Sequence, residues 1–256
     1  MYSIPHIDLR GKVSAVEWQT RVELAAAYRL LVMHGWDDLI HTHISARIPG
    51  TEDLLINAFG LAFEEVTASN LVKIDIEGNV LDEDSPFSIN PAGFTIHSAV
   101  HHARPEDQCA LHIHHPDAIA VGSCKDGLLP YSQYAAFALA SMSYHSYEGL
   151  AVNPDEIKRL QEDLGSANFM LLRNHGALTM GMTIGDAFMH MYDLIRACEI
   201  QVKLQHSLDS VHTVHASVID GIKAQAAIVH TGETGGQKAW PAMLRRVKRQ
   251  YPHFDI

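Results

Sequence analysis

Apolar residues recur at helical spacing between Val22 and Val32, and Ser14 forms a capping box with Glu17 three residues later. This pattern predicts a first helix over about 15–33, which ends at Gly35. The apolar residues that follow stand in short runs typical of strands. They predict strands at about 40–48 and 53–58 and a hairpin that pairs 72–76 with 80–81.

The second half of the chain alternates helical patterns with short apolar runs. Asn90-Pro91 supplies an N-cap and a first-turn proline for a helix over about 92–103, and 109–114 has the pattern of a short buried strand. Two further runs flank Asn174-His175-Gly176, which has the composition of a hairpin turn. Five further helices are predicted. A short one begins at Pro116-Asp117, a second extends from Asn153-Pro154 to about Gly165, and a third extends from a cap at Thr183 to about His206. The last two occupy 214–228 and 238–250.

Helices that alternate with hairpin-linked strands are typical of an α/β sandwich with a mainly antiparallel sheet, rather than of a doubly wound parallel sheet. No Ser/Pro-rich stretch, charge block or internal repeat divides the chain. We therefore predict one domain over 1–206. The segment 207–256 is predicted to be a helical extension packed on that domain.

Charge and cysteine usage narrow the partners and the compartment. The 19 Lys and Arg against 30 Asp and Glu give a formal net charge of -11, which opposes binding to nucleic acid or to anionic lipid surfaces. We expect no nucleic-acid partner and no membrane partner. The N-terminus lacks the apolar core of a signal peptide, and Cys109, Cys124 and Cys198 match neither a disulfide framework nor a zinc spacing. A cytoplasmic location is predicted.

The histidines carry the candidate chemistry. His112 and His114 end a predicted strand, where alternate side chains point to the same face and could hold one metal ion. His175, in the turn after another strand, could be aimed at the same place. Three neutral imidazoles leave a zinc, iron, manganese or cobalt ion with open positions, which is typical of a catalytic site. The alternative is that hydrogen bonds alone satisfy these histidines.

In these motifs the sequence resembles the class II aldolase and adducin head-domain family. The matching segments, in family order, are His43-Ile44-Ser45-Ala46-Arg47, Ile56-Asn57-Ala58-Phe59-Gly60-Leu61, Thr67-Ala68-Ser69-Asn70-Leu71, His112-Ile113-His114 and Asn174-His175-Gly176-Ala177. The wording is closest to the adducin-like branch. The metal motifs resemble those of aldolases such as L-fuculose-1-phosphate aldolase.

The resemblance implies a three-layer α/β/α sandwich and a homotetramer. It also implies that His112, His114 and His175 bind one divalent metal, with zinc favoured and iron, manganese or cobalt as alternatives. Ser45, Asn57, Gly60 and Gly93 match the segments that contact substrate in the family, and they are predicted to bind a small molecule.

The sequence departs from the aldolases at two places. Their acidic proton-transfer residue, at the start of the helix before the His-x-His strand, is matched here by Gly93. Several of their phosphate-binding hydrogen-bond donors are replaced by apolar residues or proline, in Thr42-His43-Ile44-Ser45, Phe59-Gly60 and Pro91-Ala92. We therefore expect a pocket for something other than a sugar phosphate.

Other polar groups could take over the role of the lost acid. His43, Tyr144 and His145 are the catalytic candidates, and His43 stands where the aldolases place a substrate-contacting Asn. His97 also lies in a matching segment, but His101 four residues later favours a packing or capping role for it.

These observations leave three functions. The first is a metal-dependent lyase, with aldolase or decarboxylase chemistry on a small, unphosphorylated carbonyl or carboxylate substrate. The second is a non-catalytic binding or scaffold module like the adducin head, of the actin or cytoskeleton type by resemblance only. The third is a non-haem iron oxygenase, which three imidazoles around one ion would also suit.

Overall fold

The computed structural model describes residues 4–5, 7–82, 85–149, 154–204 and 210–256. The helices in these ranges are α1 (Ala15–His34), α2 (Pro91–Ala103), α3 (Pro116–Ser123), α4 (Gln133–Leu139), α5 (Pro154–Leu164), α6 (Ile184–Lys203), α7 (Ala216–Val229) and α8 (Gly235–Gln250). The strands are β1 (His43–Arg47), β2 (Leu54–Ile56), β3 (Val72–Ile74), β4 (Cys109–Ile113), β5 (Met142–His145), β6 (Phe169–Leu172) and β7 (Gly176–Gly181). The predicted helices and strands are present within these ranges, except that the predicted hairpin is reduced to β3 and an isolated bridge between Ile74 and Val80, and α4 and β5 are additional.

The predicted caps at Ser14 and Thr183 form through their hydroxyls, but the second half of the Ser14 capping box does not form, because the Glu17 carboxylate pairs with Arg21 and Lys73. The Ser14 hydroxyl accepts from the Glu17 amide at 3.1 Å, and the Thr183 hydroxyl accepts from the Asp186 amide at 3.0 Å. Gly35 ends α1 in the left-handed conformation at φ 67°, where residues with a Cβ are strained. These caps fix where the two 20-residue helices α1 and α6 begin and where α1 ends.

The seven strands form one sheet in the order β3-β2-β1-β4-β7-β6-β5. Five of its six strand pairs are antiparallel, as predicted, but β5 and β6 are parallel, so the sheet is mixed. The parallel pair arises because α5 connects β5 to β6, and a helix crossover returns the chain in the same direction. The antiparallel prediction missed this pair because β5 itself was not predicted.

Helices cover both faces of the sheet, which confirms the three-layer arrangement. On one face Leu111 and Ile113 of β4 pack in a large apolar cluster with α1, α6 and α8. On the other face Ala110 of β4 packs with residues of α2 and α5. His112 alternates with Leu111 and Ile113 along β4, so its side chain lies on the face covered by α2 and α5.

The C-terminal helices differ in how they contact the rest of the chain. Trp240 and Val247 of α8, together with Phe254, are buried in the cluster of α1 and α6. In α7 only Ile222 is buried among the described residues. The predicted domain boundary at 206/207 lies outside the described residues. Among the described helices, none combines the length and the apolar character needed to cross a membrane.

Candidate metal centre

Three histidines converge at the end of β4 and the turn between β6 and β7. The Nε2 atom of His114 lies 3.1 Å from Nε2 of His112 and 3.1 Å from Nε2 of His175. The ligand atoms of the three residues all lie within 4.8 Å of one another. Asn174 adopts the left-handed conformation at φ 60°, and the resulting tight turn directs His175 back towards β4.

The second nitrogens of two of these rings are held by hydrogen bonds. Nδ1 of His112 lies 3.0 Å from the Ala177 carbonyl oxygen, and Nδ1 of His114 lies 2.9 Å from Oδ2 of Asp38. Because each Nδ1 must donate its hydrogen to these acceptors, each Nε2 keeps a free lone pair. This is how proteins prepare imidazoles as metal ligands. Nε2 of His112 and Nε2 of His114 are then both acceptors, so their 3.1 Å contact cannot be a hydrogen bond and suits a shared cation.

Burial and mutual repulsion favour the neutral form of His112 and His175. Burial, and then the nearby His114, lower the pKa of His175 to about 4. Burial also lowers the pKa of His112 well below its usual value, followed by the effects of His175 and His43. His112 is fully buried, whereas His114 and His175 are only partly buried. The cluster is therefore reachable from one side, and its chemistry fits a divalent transition metal.

Asp38 is a site residue that the sequence reasoning missed. It lies in the loop between α1 and β1, 76 positions from the histidine that it orients. Asp38 stands at no recognisable sequence spacing from the ligand histidines, and it reaches His114 only because β1 and β4 pair in the sheet. A lone acidic residue in a polar loop carries no signal that distinguishes it from a solvated one.

His43 lies beside the cluster, in the space that a side chain at position 93 would need. It pairs directly with His112 across β1 and β4, and the two ring centroids are 5.4 Å apart. A Cβ added to Gly93, in the first turn of α2, would overlap the His43 ring, with Nε2 as its nearest atom. The glycine at position 93 therefore makes room for an imidazole on a neighbouring strand.

A chain of buried polar groups extends from His43 away from the cluster. Nδ1 of His43 lies 2.9 Å from Nε2 of His97, and Nδ1 of His97 lies 2.5 Å from the Ser45 hydroxyl. The same hydroxyl lies 2.7 Å from Nε2 of His101. All four side chains are almost completely buried. His97 thus packs as the sequence predicted, but it also hydrogen-bonds a candidate catalytic residue.

The other two catalytic candidates have different surroundings. Tyr144 pairs with Leu171 and packs in the apolar cluster on the face opposite His112, where its hydroxyl accepts from the Leu128 amide at 2.9 Å. It therefore does not face the histidine cluster, because neighbouring residues of β5 point to opposite faces. His145 lies on the same face as His112, and its Nδ1 is 2.8 Å from Oδ2 of Asp163 on α5.

The predicted substrate-binding residues also have different surroundings. Ser45 is completely buried and hydrogen-bonds two histidines, so it cannot touch a substrate directly. Oδ1 of Asn57 accepts from the Tyr28 hydroxyl at 2.8 Å, which positions the loop after β2. Gly60 lies in that loop at φ 94°, a conformation that favours glycine, and Gly93 faces His43.

Comparison with known proteins gives consistent results. A candidate aldolase class 2 protein of Pseudomonas aeruginosa is 53% identical over 256 residues, which cover 99% of this chain and 98% of that protein. Alpha-adducin of Mus musculus is 43% identical over 206 residues, which cover 78% of this chain but only 28% of the adducin. The crystal structure of an aldolase II superfamily protein from Pseudomonas syringae superposes with a TM-score of 0.90 at 43% identity, covering 97% of this chain and 99% of that one.

The match to a defined family settles the assignment. The Class II Aldolase and Adducin N-terminal domain matches residues 22–202, which include the histidine cluster, His43 and Gly93. The resemblance predicted from the motifs is confirmed, and the chain belongs to the class II aldolase and adducin family.

Proposed function

We propose that this protein is a divalent-metal-dependent lyase, with aldolase or decarboxylase chemistry on a small, unphosphorylated carbonyl or carboxylate substrate. The convergence of three Nε2 atoms within 4.8 Å is the observation that carries the proposal. A module that only binds a partner has no need of ligand atoms arranged in this way. We further propose zinc as the ion, a homotetramer as the assembly and the cytoplasm as the compartment.

The three histidines would hold the ion through Nε2, with Asp38 and the Ala177 carbonyl keeping two of the rings in the required tautomer. A bound divalent ion would supply Lewis-acid stabilisation of negative charge on a substrate oxygen. The protein's own side chains would bind and orient the substrate and hydrogen-bond its oxygen. The partly buried edges of His114 and His175 leave the approach for a small substrate.

An unphosphorylated substrate is favoured by how the nearby polar groups are used. Arg173 lies two residues before His175, but its guanidinium donates to the backbone carbonyls of Gly122 and Cys124 at 3.0 and 2.9 Å and stacks on the Tyr144 ring. The Ser45 hydroxyl is buried between two histidines. Neither group is free to bind a phosphate, which agrees with the loss of the aldolases' phosphate-binding segments.

His43 is the proposed replacement for the family's acid. Its Nδ1 is occupied by His97, whereas its Nε2 has no hydrogen-bond partner among the described residues and faces Gly93. An imidazole in this position can hydrogen-bond the substrate oxygen on which negative charge develops. His145 remains a second candidate, because it lines the same small cleft as His175.

A non-catalytic binding module is the second candidate function. It is favoured by the 43% identity to alpha-adducin over 78% of this chain, together with glycine in place of the acid. The two proposals differ in what the histidine cluster does. In the binding module, the ion, if bound, stabilises the fold and alters no small molecule.

The test is a cleavage assay on the purified protein loaded separately with zinc, manganese, cobalt or iron(II). A panel of small hydroxy and oxo carboxylates, each with and without a phosphate, is followed by proton NMR for products of carbon–carbon cleavage. We expect ion-dependent cleavage of an unphosphorylated member, lost in His175→Ala and in His43→Ala but kept in His253→Ala, which removes an exposed histidine. Loaded protein that cleaves no member of the panel would contradict the lyase proposal and favour the binding module.

A further inference from the structure

The chain His43, His97, Ser45, His101 is built from two elements whose periods match. His43 and Ser45 are two residues apart on one face of β1, and His97 and His101 are four residues apart on one face of α2. The three contacts along the chain measure 2.9, 2.5 and 2.7 Å. One end, Nε2 of His43, faces Gly93, in a ring that lies beside the His112 ring of the candidate metal centre. The other end, Nδ1 of His101, is buried with no hydrogen-bond partner among the described residues.

The buried Ser45 hydroxyl contacts two imidazoles and must donate its hydrogen to one of them, so the hydrogens along this chain all point in the same direction. Three neutral imidazoles and one hydroxyl carry four exchangeable hydrogens, and the three contacts use three of them. The fourth hydrogen lies at one end or at the other. If it lies on His43, then Nε2 of His43 is a donor towards the substrate and Nδ1 of His101 is a bare lone pair. If it lies on His101, then Nε2 of His43 is a bare acceptor.

The surroundings of His101 choose between these two arrangements. Nη2 of Arg47 donates to the His101 carbonyl at 3.1 Å, and Nε of Arg47 is a buried donor that has no hydrogen-bond partner within the described part of the structure. An N–H at Nδ1 would add a second unpartnered donor beside a guanidinium. A lone pair there is attracted by the positive charge, and buried orphaned N–H groups are rarer than orphaned acceptors. The carboxylate of Glu52 that pairs with Arg47 is 82% exposed, so solvent screens its opposing charge.

We propose that Arg47, His101, Ser45 and His97 are positioning residues that hold His43 as its Nε2–H tautomer, a neutral hydrogen-bond donor aimed at the substrate. The inference deepens the proposed function, on which its catalytic meaning rests. A fixed N–H suits a reaction in which negative charge develops on a substrate oxygen. It does not supply a base that could take a proton from a substrate hydroxyl.

The test is the tautomer of His43, read from two-bond proton–nitrogen correlations of the imidazole rings in nitrogen-15-labelled protein. Both the metal-free and the zinc-loaded protein are measured, because both are diamagnetic. We expect the hydrogen on Nε2 in His43, His97 and His101 alike. A hydrogen on Nδ1 of His43 in the wild-type protein would overturn the proposal, whatever the variants do.

Variants separate a positioning role from a purely structural one. Ser45→Ala cuts the chain and Arg47→Gln removes the charge at its far end, so both should shift His43 towards a mixture of tautomers. Ser45→Thr keeps the hydroxyl and should restore the Nε2–H form. Thr95→Ala removes a hydroxyl of α2 that is not part of the hydrogen-bonded chain, and it should leave the His43 signals unchanged. Loss of stability in the first two variants without a change in the His43 tautomer would contradict the proposal.

The outcome is independent of whether the protein is a lyase. Nε2–H on His43 in a protein that binds no metal would support the positioning chain and contradict the proposed function. Nδ1–H on His43 in a protein that binds zinc and cleaves a substrate would do the reverse. The two proposals can therefore fail separately.

Discussion

Gly93→Ala should be destabilising because of His43, although alanine is the better helix residue. A Cβ at position 93 would overlap Nε2 and both adjacent ring carbons of His43. The ring cannot easily move away, because Nδ1 is bonded to His97 at 2.9 Å and the side chain is 3% exposed. Replacing His43 by alanine removes the three atoms that lie nearest to this Cβ.

Gly93→Ala has two opposing effects on the free energy of unfolding, and a double-mutant cycle with His43→Ala separates them. Replacing a helical glycine by alanine contributes up to about 1 kcal/mol of stability, whereas overpacking a buried site costs about 1–3 kcal/mol. Gly93→Ala alone should therefore destabilise by up to about 2 kcal/mol. In the His43→Ala background it should be neutral or stabilising, so the coupling free energy is about 1–3 kcal/mol.

Urea unfolding of the four proteins of the cycle measures this coupling, after coincident transitions by two probes have established two-state behaviour. Gly122→Ala is the matched control, because the nearest atom to its new Cβ is Leu171 Cβ at 3.6 Å, an ordinary contact. It should be neutral or stabilising in either background. Equal destabilisation by Gly93→Ala with and without the imidazole at position 43 would refute the reasoning.

Three further predictions test separate parts of the structure. Asp38→Asn should weaken zinc binding by about 10–100-fold in calorimetric titration, because the carboxylate orients a ligand imidazole. Asp37→Asn, which changes the exposed neighbouring residue, should leave the affinity unchanged. Equal affinities of the two variants would contradict the role of Asp38. Burial lowers the pKa of His101 to about 3 from the usual 6.5. The unfolded chain therefore takes up the proton first, so stability is complete above the unfolded pKa and falls below it. His101 contributes about 2 kcal/mol to the loss at about pH 5 in urea titrations, so the loss in His101→Gln should be smaller by about that amount, and an unchanged loss would contradict the prediction. Trp240→Ala should lower the free energy of unfolding in urea by about 3–5 kcal/mol, because this ring is buried against α6. Ile228→Ala changes a side chain that is 78% exposed and should change that free energy by less than about 0.5 kcal/mol. Equal effects of the two variants would contradict the docking of α8.

The sequence predicted the elements whose local signals are strong. The N-cap at Ser14, the Asn90-Pro91 start and the turn at Asn174 each specify a boundary through hydrogen bonds or backbone geometry within four residues. Gln133–Leu139 and Met142–His145 were missed, because the first is a short alanine-rich helix and the second is a strand without apolar alternation. Their structure depends on contacts with α6 and β6, which are distant in sequence.

The metal ligands could be predicted, whereas the groups that orient them could not. His112 and His114 have the two-residue spacing of a strand face, and a hairpin turn places His175. Asp38 and the contact of Gly93 with His43 depend on how α2 and the loop after α1 pack on the sheet. The i,i+4 spacing of His97 and His101 was visible in the sequence, but nothing in it indicates Ser45 as the group between them.

The most direct test of the account is the metal content of protein purified without added metal. Elemental analysis should find about one divalent transition-metal ion per chain in the wild type and in the control His253→Ala, and its loss in the double variant His112→Ala with His114→Ala. Wild-type protein that carries no ion, and that takes up none when titrated with zinc, would contradict the assignment of these histidines as a metal centre.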